Sequence, residues 1–398
     1  DRPMKRQVKN NVYWIGYIDW ELKHFHGDDY SVEHGSSQNA YLIQEEKTVL
    51  IDTVWIPHRF DFIENLEQEI DLHSIDYIIA NHGECDHSGA LSDLMEKIPD
   101  TPIYCTKNAV KSLEGQYGKK GWNFHVVKTG DTLEIGNGKK LIFIEMPMLH
   151  WPDSMATYLT EDNILFSNDA FGQHYAIEEL FNDKADRCVM MKEAMKYYAN
   201  ILNPYASMLI RKLKEIESFH LPIDMICPSH GAIWRKEPSE IIEKYAEWAN
   251  AYQEDQVTIV YDTMWNGTEK IAHKIAEEIA HQSPDTIVKV FNIAKTDKND
   301  IMTEILKSKA IALGSPTVGN DILSSVAGWL AFLKQLKFKG KKAGAFGTWG
   351  WSGESVPHLK KYLTEAGFHV IDEEVKVNWT MQEDDLAQVP AFVGSLLK

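Results

Sequence analysis

Apolar residues in the first 250 positions fall into short runs of two kinds. VYWIGYIDW (12–20) and AYLIQEEKTVLIDTV (40–54) predict strands, the second folded back at the polar Gln44–Lys47 turn. HRFDFIENLEQEI (58–70) repeats its apolar positions at helical spacing instead. IDYIIANH (75–82) is a short apolar run, predicted to be a buried strand that ends on a histidine. More strands are predicted within 123–147 and 155–169, with turns at Gly130-Asp131 and Gly136–Gly138. A mostly helical stretch follows from Ile177 to Ser218, and IDMICPSHG (223–231) then repeats the strand-then-histidine pattern.

The pattern changes around AYQEDQ (251–256). Beyond it, VTIVYD, TIVKVFNIA, AIALGSP, KKAGAFG and FHVI are strand-like and alternate with amphipathic helices. Five such units predict a doubly wound parallel sheet. The expected division is therefore a first domain over 1–253 and a second over 254–398.

Composition narrows the partners. The formal net charge of −18 provides no basic footprint for nucleic acid or an anionic membrane. No apolar run approaches the ~20 residues of a membrane span. The N-terminus has basic residues without a following apolar stretch, so no signal peptide is expected; Met4 is a candidate natural start. Cys85, Cys105, Cys188 and Cys227 are well separated and form no CxxC pair, which suits a reducing cytoplasm.

Candidate chemistry concentrates at strand ends. NHGECDHSGA (81–90) places His82, Glu84, Asp86 and His87 within six positions. His150 in MPMLHWPDSM, Asp169 in LFSNDAFG and His230 in CPSHGAIW also sit where strands give way to loops. Singly, each has a bland explanation: a hydrogen-bonded structural histidine, or a turn-forming aspartate. Cys85 is a soft ligand in principle, but in an extended stretch it would point away from Glu84 and Asp86.

The order HxExDH…H…D…H resembles the metallo-β-lactamase superfamily, with Glu84 standing where that motif has its second histidine. This replacement, together with LHWPDSM, NDAFGQH, YYANI and the second half of the chain, resembles the flavodiiron proteins (A-type flavoproteins), closest to the core of the bacterial flavorubredoxins. The resemblance implies an α/β architecture: a metallo-β-lactamase-like αββα sandwich followed by a flavodoxin-like doubly wound sheet. It implies one iron held by His82, Glu84 and His150, another by Asp86, His87 and His230, and Asp169 bridging. In parts of the family the histidine matching His87 gives way to water. His26 in FHG and Tyr198 in YYAN are the implied second-sphere groups, while His24, His34 and His174 are read as structural or exposed. The chemistry agrees, since zinc hydrolases favour imidazole-rich ligation. A His/carboxylate set with open positions suits iron.

In the second half, VTIVYDTMWNGTEKIAHKIAEEI (257–279) is a strand, a loop and a helix. The loop Thr263, Met264, Trp265, Asn266, Gly267, Thr268 would offer backbone N–H groups and hydroxyls to a phosphate. Neither GxxxxGK[ST] nor GxGxxG is present, so ATP and dinucleotide readings lose ground. On pattern alone a non-binding α/β domain, such as a receiver, stays open. Resemblance to the flavodoxin phosphate loop favours FMN. Two later strand ends would complete its site: Ser315, Pro316, Thr317, Val318, Gly319 and Asn320, and Thr348, Trp349, Gly350, Trp351, Ser352 and Gly353. Both lie beside the switch point of a 2-1-3-4-5 sheet.

The implied activity is reduction of dioxygen to water, of nitric oxide to nitrous oxide, or both. The implied partners are rubredoxin or a similar small donor and a second copy in a head-to-tail dimer, with a dimer of dimers as a further option. No paired CxxC rubredoxin module precedes Lys398, which implies a separate donor or a truncated chain. Two rivals stay open: a metal-dependent hydrolase with an appended flavodoxin, and a pure electron-transfer flavoprotein.

Overall fold

The computed structural model describes residues 5–398, so the candidate start at Met4 lies outside the described residues. The described residues form two compact units, one of residues 5–197 and 205–246, the other of 198–204 and 247–398.

In the first unit, strands Arg6–Lys9, Val12–Trp14, Tyr41–Gln44, Thr48–Ile51, Ile75–Ile79, Ile103–Cys105 and Phe124–Val126 form a seven-stranded sheet in that order. Thr132–Gly136, Lys139–Glu145, Met155–Leu159, Ile164–Asn168 and Met225–Pro228 form a five-stranded sheet. Strand alternation decides which residues face which layer. In the expected hairpin, Tyr41 pairs with Ile51 and Ile43 with Val49, and all four join a core with Phe143, Met155, Phe166 and Cys227 of the other sheet. Their neighbours Leu42 and Leu50 face the opposite way. They pack with Phe62 and Leu66 of helix Arg59–Glu69 and with Leu94 of helix Leu91–Lys97. The result is the helix-flanked sandwich expected from the resemblance.

VYWIGYIDW departs from the expectation of one strand. It breaks at Ile15-Gly16 into Val12–Trp14, in the large sheet, and Tyr17–Asp19, which pairs with Ser36–Gln38. A Cβ at Gly16 would stand 2.1 Å from the Gln38 carbonyl oxygen, so only glycine lets the two backbones approach here.

The second unit holds the five expected strands, Gln256–Tyr261, Ile287–Asn292, Ala310–Gly314, Lys342–Trp349 and His369–Asn378. The second lies at one edge beside the first, and the third, fourth and fifth follow on the other side. All pairings are parallel, so the order is 2-1-3-4-5 with its switch point between the first and third strands. Ile271, Ala272, Ile275 and Ile279 of helix Gly267–Gln282 pack onto the sheet beside Phe392 and Val393 of helix Gln388–Leu397. Among the described residues no helix is long and apolar enough to cross a membrane. All four cysteines are free thiols.

Gly344 tests this packing, because an added Cβ would lie 2.5 Å from the Phe392 ring. Gly344→Ala should destabilise the second unit by about 1–3 kcal/mol through overpacking. Chemical denaturation would show this as a lower midpoint for that unit.

Candidate metal and flavin sites

Each metal-ligand candidate is delivered by the C-terminal end of a strand or the loop after it. Ile75–Ile79 leads to Asn81 and His82, Lys139–Glu145 to the His150 loop, Ile164–Asn168 to Asp169, and Met225–Pro228 to His230. Asp52, fully buried, ties these loops together. It accepts hydrogen bonds from the Asn81 backbone at 2.8 Å, the Asn81 side chain at 3.1 Å and the Asn168 side chain at 3.3 Å. Thr53, next in sequence, donates through both its backbone N–H and its hydroxyl to the His87 carbonyl. The surrounding backbone takes left-handed φ values at His26 (54°), Asp52 (59°), Met148 (67°), Asn168 (56°) and Phe171 (68°). Such conformations cost energy and collect at functional sites.

Glu84 to Ser88 is not extended. Glu84 caps a short helical turn, Cys85–Ser88, which turns Asp86 and His87 back beside His82. The expected alternation at Cys85 therefore fails, although Cys85 still belongs to neither metal-binding group.

Two groups of ligand atoms result, each with its atoms within 4.8 Å of one another: His82, Glu84, His150 and Asp169, and Asp86, His87, Asp169 and His230. Asp169 is common to both. Its Oδ2 lies 3.3 Å from His82 Nε2 and 3.0 Å from His150 Nε2, and its Oδ1 lies 2.9 Å from His87 Nε2. Proximity is not matched by hydrogen bonding. Asp86 Oδ1, Asp169 Oδ2 and both ring nitrogens of His87 are buried without a hydrogen-bond partner. Buried polar atoms are rarely left so. Carboxylate oxygens and ring nitrogens that converge without making hydrogen bonds fit a bound cation. All seven candidates are therefore brought together, each group offering two imidazoles, a carboxylate of its own and a share of Asp169.

The proton balance points the same way. Burial opposes charge on His82, but hydrogen bonds to Asp153 and Glu84 hold its pKa well above the ordinary value. Asp86 and Asp169 do the same for His87. His150, against burial, is raised to about 9 by Asp169 and Glu84. Glu84 and Asp169 are held well below the ordinary carboxylate range, and Asp86 at about 2, because the imidazoles outweigh burial.

The flanking groups divide. His26 stands where expected, its Nδ1 3.3 Å from Glu84 Oε1. Tyr198 does not support its expected role. Its hydroxyl donates to Asn203 and its ring packs on Trp248. The preceding residue, Tyr197, faces His174 and His230, with ring centroids at 5.4 and 6.3 Å. The chain changes from α-helix to π-helix between them, at Tyr198–Leu202, which alters the facing of adjacent tyrosines. His174 is wholly buried: Nδ1 meets Ser36 Oγ at 2.6 Å, and burial followed by His230 drives its pKa well below the ordinary value. Asp153 was not anticipated. Its Oδ1 lies 2.6 Å from His82 Nδ1, and its Oδ2 accepts the Gly83 N–H at 2.9 Å. The signal available was an acid just past His150.

In the second unit a cavity of about 600 Å³ opens where the first, third and fourth strands end. Thr263, Met264, Trp265, Gly267, Pro316, Thr317, Val318, Gly319, Asn320, Thr348, Trp349, Gly350, Trp351 and Ser352 line it. Four predicted residues frame it instead. Thr268 is buried and shares a hydrogen bond with Thr348, and Ser315 Oγ accepts from the Leu323 N–H. Asn266 supplies the left-handed cap (φ 68°) of helix Gly267–Gln282, and Gly353 lies against Lys376. Trp379 and Thr380, missed in the sequence, complete the lining at the end of the fifth strand. Trp265 and Trp351, 89% and 85% exposed, stand at this cavity with Trp379. A helix N-terminus, hydroxyl groups and flat aromatic walls fit a phosphate joined to a planar ring system.

Residues 36–231 match the model of the ODP family beta lactamases, and 259–389 match the flavodoxin model. The anaerobic nitric oxide reductase flavorubredoxin of Aliivibrio fischeri is 56% identical over 92% of this chain and 74% of its own. The protein of the same name from Escherichia coli O1:K1 is 52% identical over 95% and 79%. Among solved structures, rubredoxin oxygen:oxidoreductase from Desulfovibrio gigas superposes with a TM-score of 0.95 at 35% identity, covering 99% of this chain and 98% of the other. The flavodiiron protein of Giardia intestinalis gives 0.93 at 32%, covering 100% and 96%.

The charge pairs set a pH window. With no ion bound, the lowered carboxylates contribute stability that is present above about pH 4.5 and lost as pH falls, for Asp86 toward about 2. The raised histidines contribute stability that is complete below about pH 6.5 and lost as pH rises, for His150 through about 9. The metal-free chain should therefore be most stable between about pH 4.5 and 6.5. A metal ion must displace the imidazole protons, so metal uptake should release protons and tighten as pH rises above about 6.5. Titration calorimetry in buffers of different ionisation enthalpy measures that release; an affinity flat between about pH 6 and 9 would contradict it.

Proposed function

Because the chain belongs to the flavodiiron protein family, we propose that it is a reductase passing electrons through FMN to a non-haem diiron site, where nitric oxide is reduced to nitrous oxide. The observation that carries this reading is the pair of four-residue groups meeting at Asp169. His82, Glu84 and His150 would hold one iron and Asp86, His87 and His230 the other, with Asp169 between them. When bound, FMN supplies single electrons from a two-electron store, and a ferrous pair supplies binding and reduction of a small oxidant. The domains would be 1–253 for the metal site and 254–398 for the flavin.

The chain's own residues set the conditions. Burial of Asp86, His87, Asp169 and His230 keeps bulk water away from one side of the site. The other side is more open, since the His150 and Glu84 side chains are 11% and 13% exposed. His26, 28% exposed, stands on that side with Nδ1 facing Glu84. Against burial, Glu84 raises its pKa, so His26 can hold a proton and hand it inward from Nδ1. Two nitric oxide molecules, two electrons and two protons give nitrous oxide and water, so a proton-holding group at the open side is needed.

Nitric oxide is put first because the relatives above 50% identity carry that substrate in their name. Dioxygen, in the name of the Desulfovibrio neighbour, is the second reading. A hydrolase is disfavoured by Glu84, and a pure electron-transfer role by the convergence of all seven side chains. The donor would be rubredoxin or a similar small protein, and the working form a cytoplasmic head-to-tail dimer or dimer of dimers. The exposed Trp265, Trp351 and Trp379 support a protein contact over the flavin.

Anaerobic stopped-flow of the reduced protein should show faster flavin reoxidation by nitric oxide than by dioxygen. Reaction with dioxygen alone would overturn the substrate order, and reaction with neither would overturn the activity. Trp351→Ala should leave the fold intact and weaken FMN retention by roughly 2–10-fold, the loss of about 0.5–1.5 kcal/mol of aromatic stacking. Equilibrium dialysis of the flavin reads this directly.

A further inference from the structure

The two metal-binding groups have matching donors but unequal surroundings. His82 is backed by a carboxylate, with Asp153 Oδ1 2.6 Å from its Nδ1. Asp153 Oδ2 accepts the Gly83 N–H at 2.9 Å, which fixes the carboxyl with Oδ1 toward the imidazole. The Asp153 side chain is 1% exposed, which leaves its charge little screened. In the other group, His230 Nδ1 meets only the neutral carbonyl of Ser37, at 2.7 Å. His87 Nδ1 is buried with no hydrogen-bond partner. A carboxylate outside the ligand set is therefore hydrogen-bonded to an imidazole of one group and to none of the other; Asp52, the other buried acid nearby, bonds only Asn81 and Asn168.

Gly83 explains how the carboxylate comes so near. A Cβ there would lie 2.8 Å from Asp153 Oδ2 and 2.8 Å from the Ser112 side chain. The glycine inside the HGE stretch thus keeps room for Asp153 as well as for the turn. One group acts in the opposite sense, since His26 approaches Glu84 from outside at 3.3 Å. Its side chain is 28% exposed, so water and salt screen it more than they screen Asp153.

We propose that Asp153 is a positioning residue that makes the two metal positions electronically unequal. It holds the proton of His82 on Nδ1, turns Nε2 to the metal, and makes that imidazole the stronger donor. Added negative charge favours the ferric state, so the His82–Glu84–His150 position takes the lower reduction potential. The first electron then enters the Asp86–His87–His230 position and the second enters the position backed by Asp153. This inference rests on the diiron reading of the site.

An anaerobic redox titration of the iron-loaded protein, followed by electron paramagnetic resonance of the half-reduced pair, tests it. The wild type should reduce in two one-electron steps with a half-reduced state between them. In Asp153→Asn the lower step should rise toward the upper, cutting the constant for forming the half-reduced state about tenfold, or ~59 mV. A chelator challenge should show one of the two irons held ~10–100-fold less tightly in the variant and the other unchanged. Two irons with unmoved steps, or equal weakening of both, would overturn the role of Asp153. Should the variant fail to fold, a single two-electron step in the wild type would still overturn the proposal, because it leaves no sequential filling of the two positions. An iron pair that reduces in one step sinks this inference alone, whereas a wild type that takes up zinc or no metal sinks the diiron reading with it.

Discussion

Three carboxylates and four imidazoles are buried within reach of one another, and without a counter-charge that arrangement would not persist. Removing a carboxylate from water costs several kcal/mol even after relaxation. Protons on the imidazoles can offset the cost in the metal-free chain, which is why His82, His87 and His150 are pushed up while Glu84, Asp86 and Asp169 are pushed down. Protons do not satisfy the geometry, however. Asp86 Oδ1, Asp169 Oδ2 and His87 Nε2 are left without hydrogen bonds, and a pair of cations would satisfy them. The surrounding fold serves this cluster. Asp52 binds the loop at Asn81 to the loop at Asn168, and Thr53 fixes the His87 carbonyl. The sandwich supplies strand ends that hold these loops close.

Glu84 gives the site its redox character. An imidazole in its place would leave one position rich in nitrogen donors, which suits zinc. A carboxylate there gives each position two histidines, an acid of its own and a share of Asp169, a set better suited to iron cycling between oxidation states. The second unit holds what such a centre requires from outside itself, a cavity lined by a helix N-terminus and by tryptophans.

Much of this could be read from the chain before the structure. The five strands of the second unit announced themselves by regular alternation with helices, and the resemblance to the flavodoxins implied the order 2-1-3-4-5 that the sheet has. The seven metal candidates were legible as a set through the order HxExDH…H…D…H and the family it resembles, although each alone was only a polar residue after a strand. What escaped depended on local backbone. The helical turn at Cys85–Ser88 replaced the extended backbone on which the reading of Cys85 rested, a change invisible in a six-residue stretch with no helical period. A switch to π-helix put Tyr197, rather than Tyr198, beside His174 and His230. Asp153 gains its role from a turn and from the empty space at Gly83, neither of which has a sequence period. Trp379 lies far along the chain at the end of a ten-residue strand, and only the sheet order brings it to the cavity.

The central claim is that the seven converging side chains hold redox iron beside a chain that binds a flavin. Metal and flavin analysis of protein purified anaerobically from cells supplied with both iron and zinc tests it most directly. The account predicts two irons and one FMN per chain. Two zinc ions in that protein would contradict it, whatever the flavin content.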